Sequence, residues 1–277
     1  MTQNIADQAA EDFTSNPLDD DKLREECGIF GISGKDAAAT MVALGLHALQ
    51  HRGQEAAGIV TFDGEHFHAH HAMGHVGDTY NQPSIINRLI GQMAIGHVRY
   101  ATTGETALRN VQPFFTDFAF GGFAIAHNGN IVNAYKLRSA LVHQGCLFRS
   151  TSDTEVVLHL MAKANGQPVD RLIEALQQIE GAYSFVCLSK DLLIGVRDPH
   201  GVRPLVLGQL DGAYVLASET CALDIIGATF VRDVEAGEMV VIRGREIESL
   251  RPFAPVARKF CIFEYIYFAR PDSMVEG

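Results

Sequence analysis

Apolar and polar positions change period several times along this chain, and the changes divide it into elements. CGIFGIS (27–33) is a short apolar run with glycines, the pattern of a buried strand. Over 36–50 the apolar residues recur at helical spacing (Met41, Leu44 and Ala48; Val42, Leu46 and Leu49), and the pattern stops near Gly53, a helix terminator. GIVTF, HFHAHH and MAIGHVRY read as strands, with a short helix near 84–90. AFGGFAIAH is a further strand that ends at Asn128-Gly129. Helices are predicted over 133–144, 153–164 and 168–178, the second opening on Ser152-Asp153-Thr154-Glu155, a capping-box pattern. From Ala182 onward the period returns to that of short strands: YSFVCLS, LLIGVRD, PLVLGQL, AYVLAS, EMVVIRG and EIESL. Strands, then helices, then strands predict an α+β fold of two mostly antiparallel sheets with helices packed outside.

Residues 1–26 lack any such period and read as a disordered acidic leader. They hold eight acidic and two basic residues, which is −6 of the chain's net charge of −11. The DDD run at 19–21 is a solvated charge run rather than a metal site. An acidic chain is no footprint for nucleic acid, and no stretch is apolar and long enough to span a bilayer. An acidic leader without an apolar core is neither a secretory signal nor a transit peptide. The five cysteines are odd in number and scattered, which argues against a disulfide framework and for a reducing, cytoplasmic setting. With 277 residues, 47% of them hydrophobic, the chain can bury a sizeable core.

Cys27 carries the chemistry to be explained. Read alone, it is better explained as a packed strand cysteine. As residue one of a trimmed chain it would hold a nucleophilic thiol and an α-amine of pKa roughly 7.7–8.0, an attacking group and its proton acceptor in one residue. Four distant segments supply what such a nucleophile needs. HRGQEAAG (51–58) offers Arg52 beside a glycine, although an arginine after a helix also serves the dipole. GHVRYATTG (96–104) offers the Arg99 guanidinium, able to grip a carboxylate through two bonds, and the Thr102 and Thr103 hydroxyls; an exposed hairpin arginine is its plain alternative. HNGNI (127–131) is either a hairpin turn or an oxyanion hole made by the Asn128 amide and the Gly129 N–H. STSDTE (150–155) places Asp153 in the first turn of a helix, where it caps the helix or receives an ammonium. Together they form a site for a free α-amino acid. His66, His68 and His70 alternate onto one strand face, but no acid or cysteine accompanies them at ligand spacing, so they read as a polar outer face.

CGIFGISG, HRGQEAAG, GHVRYATTG, HNGN, SDTE and RDPHGVRPL, in this order, resemble the N-terminal-nucleophile glutamine amidotransferases, and the resemblance runs over 27–277. HRGQE, RDPHGVRPL and CIFEYIYFARPDS point to the branch of purine synthesis that delivers ammonia to 5-phosphoribosyl diphosphate. The resemblance implies a four-layer αββα sandwich. It implies glutamine as substrate, Cys27 as nucleophile, and Asn128 and Gly129 at the oxyanion. Arg52, Arg99, Thr102 and Asp153 would bind the substrate, and 1–26 would be a propeptide. It places the glutaminase domain at 27–260 and, at 261–277, the start of a connection to a phosphoribosyl-transferring domain absent from this chain. Magnesium, 5-phosphoribosyl diphosphate binding and homo-oligomer formation would belong to the full-length enzyme, and this chain itself would need no cofactor. Cys261 matches a position that in some members ligates an iron–sulfur (4Fe-4S) cluster, and otherwise reads as a structural cysteine. Two other readings share these motifs: the glutaminase half of a different ammonia-channelling synthase, and an unprocessed, inactive fragment.

Overall fold

The computed structural model describes residues 27–100 and 107–277. The leader and the Thr102–Thr103 hydroxyls lie outside the described residues. Thirteen strands among those described form two sheets, every pairing antiparallel. In the first, β1 (Cys27–Ser33) lies between β4 (Met93–Arg99) and β10 (Ala213–Ala217). β2 (Ala56–Phe62) and β3 (Phe67–Met73) extend it beyond β4, and β9 (Val206–Leu210) and β11 (Thr229–Asp233) beyond β10. The second sheet has the order β13 (Glu246–Leu250), β12 (Met239–Arg243), β8 (Leu192–Arg197), β7 (Gly181–Ser189), β6 (Gly121–Ile131), β5 (Phe114–Phe118).

Three cores separate four layers. One joins the first sheet to α1 (Ala38–Ala48), α2 (Val76–Tyr80), α3 (Pro83–Ile86) and α7 (Cys221–Asp224). A second joins the other sheet to α4 (Ala134–His143), α5 (Glu155–Lys163) and α6 (Pro168–Leu176). The third lies between the sheets and contains Ile29, Ile95, Ala124, Ala126 and Val186. This is the αββα sandwich that the resemblance implies. Alternation in each strand then decides which residues share the inner face. Phe30 and Ile32 face the helices while Ile29 faces the other sheet, so Cys27 belongs to the inner face. By the same parity β4 turns Ile95, His97 and Arg99 inward, and β6 turns Ala124, Ala126 and Asn128 inward. Gly31 lets the sheets meet, since a Cβ there would fall 2.6 Å from Val186 Cγ1.

The sequence reading needs correction at several points. AFGGFAIAH is not one strand: the β5–β6 hairpin turns within it. β6 does not end at Asn128-Gly129 but runs to Ile131, because β7 pairs with it from Phe123↔Ser189 through to Ile131↔Gly181. The capping box at Ser152–Glu155 does not form. Thr154 is the N-cap without a side-chain cap bond, which puts Asp153 before the helix instead of in its first turn. Glu155 instead accepts bonds from the Arg149 and Ser150 backbone N–H groups, both 2.8 Å, and from Ser150 Oγ at 2.6 Å. A capping box does form at α6, between Gln167 and Asp170. The segment 261–277 packs back on the sandwich through a π-helical turn, Glu264–Phe268, whose two end residues are buried. Beyond it, Ser273 Oγ donates to Glu219 (2.6 Å) and the Met274 N–H to Thr220 Oγ1 (2.8 Å).

Candidate active site

The site lies where the inner face of the sandwich ends. Cys27 is the first residue of β1, and its partner across the ladder is Arg99, the last residue of β4. Side chains directly opposite in an antiparallel pair share a face, with Cβ atoms about 4.5–5.5 Å apart. The thiol and the base of the guanidinium are therefore neighbours by register. Arg99 is the partner of Ala56 on its other side, and the Arg99 carbonyl accepts the Glu55 N–H at 3.1 Å, so HRGQE anchors the end of β4. A cleft of about 30 Å³ opens at this point, lined by Cys27, His97, Arg99, Tyr100, Asn110, Gln112, His127, Gly129, Ser152 and Asp153. That is room for a water or two.

Burial pushes the Cys27 thiol up to about 11, with the Arg99 and Arg203 charges acting in the opposite direction. Its Sγ lies 3.8 Å from the Tyr100 carbonyl oxygen, which accepts the S–H. A thiol held that high is protonated near neutral pH and attacks only with a base beside it.

Asn128 lies on the inner face of β6 by strand parity, one residue before Gly129, which lines the cleft. The Asn128 side chain is fully buried, and both amide atoms lack a hydrogen-bond partner among the described residues. Burying an unsatisfied amide is costly, and such groups in folded proteins call for a reason. Gly129 follows at φ 139°, and a Cβ on it would meet the Ala182 carbonyl oxygen at 2.1 Å. Only glycine fits the strand there.

Asp153 is fixed across the cleft. Its Oδ2 accepts the Ile131 N–H at 2.8 Å, and its Oδ1 lies 3.7 Å from His127 Nδ1. Burial pushes this carboxyl up, but His127 and the N–H groups of Ile131 and Thr154 outweigh it and hold it below the ordinary aspartate value. The carboxylate is thus ionised at neutral pH and suited to an ammonium. His127 is itself held by Thr154 Oγ1 (2.9 Å) and by stacking on Phe185 at 4.5 Å. Gln112 ties the two strands to α5, accepting the His127 N–H (2.8 Å) and donating to Thr154 Oγ1 (3.1 Å). His97 donates through Nε2 to the His127 carbonyl at 3.1 Å, and burial pushes its pKa down to about 3, so it is neutral.

The structure thus brings together Cys27, Arg99, Asn128, Gly129 and Asp153. It does not bring Arg52 to the cleft. Arg52 is fully buried, bonded through Nε to Glu219 and through Nη2 to Glu264 Oε2 at 2.6 Å, so its guanidinium is occupied by carboxylates of the protein. Neither acid adjoins it in sequence, which is why the motif alone suggested a substrate ligand. His97 and Gln112 also line the cleft and were missed as site residues; His97 was signalled by its place two residues before Arg99 on the same strand face. Cys261 is half-buried, and among the described residues no three His, Cys, Asp or Glu side chains gather as metal ligands. A single thiolate does not hold a cluster, and the resemblance gives Cys261 that role only with further ligands of the full-length protein. In the β3 region His68 pairs with Asp63 at 2.7 Å. Among the described residues no helix is long and apolar enough to cross a membrane.

Cys27, Arg99, Gly129 and Asp153 line one cleft at the end of an αββα sandwich, with Asn128 buried next to Gly129. Residues 97–224 match the family described as the glutamine amidotransferase domain, so the chain carries such a domain. Its high-identity relatives are amidophosphoribosyltransferases. That of Rhizobium etli is 54% identical over 270 residues, covering 95% of this chain and 54% of the relative. Glutamine phosphoribosylpyrophosphate amidotransferase from Bacillus subtilis, solved with ADP and GMP, superposes with a TM-score of 0.86 at 44% identity, over 91% of this chain and 55% of that one. A structure described as the allosteric regulatory enzyme of purine biosynthesis gives 0.87 at 44% identity, over 91% of this chain and 54% of that one. The chain spans about half the length of the curated relatives it matches.

Proposed function

We propose that this chain hydrolyses glutamine to glutamate and ammonia through a thioester on Cys27, as the glutaminase half of an amidophosphoribosyltransferase. The observation that carries this reading is the Cys27–Arg99 register pair, with Asp153 and Gly129 in the same cleft and the unpartnered Asn128 amide buried next to Gly129. Arg99 takes the α-carboxylate of glutamine and Asp153 its α-ammonium, which leaves the side-chain amide pointing at the thiol. Thr102 supplies a further hydroxyl to the substrate. The free space in the cleft is smaller than glutamine, so binding widens it.

Once 1–26 are removed, the α-amine of Cys27 accepts the thiol proton; at roughly 7.7–8.0 it is a better match to neutral pH than a thiol near 11. Sγ bonds to the amide carbon, and the carbonyl electron pair moves onto oxygen, held by the Asn128 side-chain amide and the Gly129 N–H. The C–N bond then breaks, and the amine passes its proton to the departing ammonia. Water adds to the thioester, expels the thiolate and leaves glutamate. In the longer protein the ammonia is delivered to 5-phosphoribosyl diphosphate, giving 5-phosphoribosylamine for purine synthesis in the cytoplasm. Magnesium and the phosphoribosyl substrate belong to that second half, as does assembly into a homo-oligomer.

The test is glutamate release from glutamine by the purified chain and by its Cys27→Ala variant. Release that depends on Cys27 supports the reading, and equal release by both proteins refutes it.

A further inference from the structure

The two carboxylate oxygens of Asp153 are held differently. Oδ2 accepts the Ile131 N–H at 2.8 Å, from a backbone fixed by the β6–β7 ladder. Oδ1 has only longer contacts among the described residues: the Ser152 and Thr154 hydroxyls, both at 3.4 Å, and His127 Nδ1 at 3.7 Å. Oδ1 is thus the oxygen with room for a further donor, on a residue that lines the cleft.

Thr154 stands behind that oxygen. It is the N-cap of α5, a place where threonine ordinarily turns its oxygen to the helix N–H groups, yet it makes no cap bond. Its hydroxyl meets three other groups instead: Gln112 Nε2 at 3.1 Å, His127 Nδ1 at 2.9 Å and Asp153 Oδ1. The direction of these bonds is set from one end. The His127 backbone N–H can only donate, so the Gln112 amide turns Oε1 to it and Nε2 to Thr154. Thr154 Oγ1 is therefore an acceptor towards Gln112. The carboxylate nearby favours the His127 tautomer with its proton on Nδ1, which fills the second lone pair of Oγ1. The one hydroxyl proton is left for Asp153 Oδ1.

We propose that Thr154, oriented by Gln112, is a positioning residue for the ammonium grip. Its hydroxyl aims Asp153 Oδ1 at the α-ammonium of glutamine, while Thr154 itself is fully buried and touches no substrate. The inference rests on the reading of Asp153 as the ammonium ligand.

The test is steady-state hydrolysis by the chain beginning at Cys27. KM and kcat are measured for glutamine, with the inhibition constant of glutaramate, which is glutamine without its α-amine. Thr154→Val removes the hydroxyl at nearly constant volume, Thr154→Ala removes it without bulk, and Thr154→Ser keeps it. Both hydroxyl-free variants should raise KM for glutamine about tenfold, the worth of one hydrogen bond to a charged group. Their kcat should be unchanged, because the ammonium is held alike before and during the reaction. The glutaramate constant should not move, and Thr154→Ser should restore the wild-type KM. An unchanged KM in the hydroxyl-free variants overturns the proposal. So does a glutaramate constant that rises in step with KM, since a general loosening of the cleft weakens both ligands. Failure of both hydroxyl-free variants to fold also overturns it, by making Thr154 a residue of stability. Asp153→Asn separates this inference from the reading beneath it. If Asp153→Asn leaves the preference for glutamine over glutaramate intact, or if the wild type releases no glutamate, that reading fails and this inference with it. If Asp153→Asn abolishes the preference and Thr154→Val keeps it whole, this inference alone fails.

Discussion

Cys27 and Arg99 face one another as the terminal pair of the β1–β4 ladder, so the strand register alone sets the spacing between the thiol and the base of the guanidinium. Register is well specified here because a slip of one residue would turn Ile29 and Ile95 out of the inter-sheet core and Phe30 and Val98 into it. Arg99→Lys keeps the charge but loses the planar fork that binds a carboxylate twice. KM for glutamine should rise at least about tenfold, the worth of one charge-assisted hydrogen bond. Steady-state kinetics would check this, and an unchanged KM would remove Arg99 from the substrate site.

Asn128 separates binding from chemistry. Its amide has no partner among the described residues, so replacing it leaves no other group unsatisfied there. Asn128→Ala should lower kcat by about 10²–10³-fold, as loss of one oxyanion donor does, with little change in KM. Equal effects on KM and kcat would show that Asn128 binds the substrate rather than the transition state.

Gly129 tests the strand beneath that donor. A Cβ at this position would overlap the Ala182 carbonyl oxygen, and the residue already sits at φ 139°. Gly129→Ala should cost at least about 1–3 kcal/mol of stability and displace the N–H from the reacting oxygen. Denaturant melts and glutamate release should fall together. A variant of wild-type stability would place the backbone elsewhere.

Stability should depend on pH well above the carboxylate range. His97 is held at about 3 in the folded protein, chiefly by burial, whereas an unfolded histidine titrates near 6.5. Below about pH 6.5 the unfolded chain therefore binds the extra proton, and stability falls as pH drops from there towards 3. His71, also lowered by burial, adds in the same direction. Glu155 and Glu238, both held near 2 against burial by their hydrogen bonds, contribute stability above their unfolded values near 4.3 that is lost from there down to about pH 2. Chemical denaturation at a series of pH values should show decline beginning near 6.5 and steepening below 4.5. A flat profile between 4.5 and 6.5 would contradict the neutral, buried His97.

Much of the site was legible in the sequence because its members come from strand ends and loop motifs whose parity and spacing are local. Cys27, Arg99, Gly129 and Asp153 each announce themselves within a few residues, and the cleft joins them. What was not legible depends on partners far along the chain. Arg52 is claimed by Glu219 and Glu264, 167 and 212 residues away, so its motif could not reveal that the guanidinium is already occupied. Asn128-Gly129 reads as a turn locally, and only nine residues of pairing with β7 make it strand. Ser152–Glu155 has the letters of a capping box, but Glu155 is drawn back onto the Arg149–Ser150 backbone. The short β11 and α7 lack enough residues to show a period.

The central claim is that the Cys27 α-amine is the base, and it is tested most directly by comparing glutamine hydrolysis by two forms of the protein at pH 7: the chain beginning at Cys27, and the chain with residues 1–26 still attached, each verified by intact mass. The account predicts steady glutamate release by the first and almost none by the second, whose Cys27 nitrogen is an amide. Comparable hydrolysis by the uncleaved chain would contradict it.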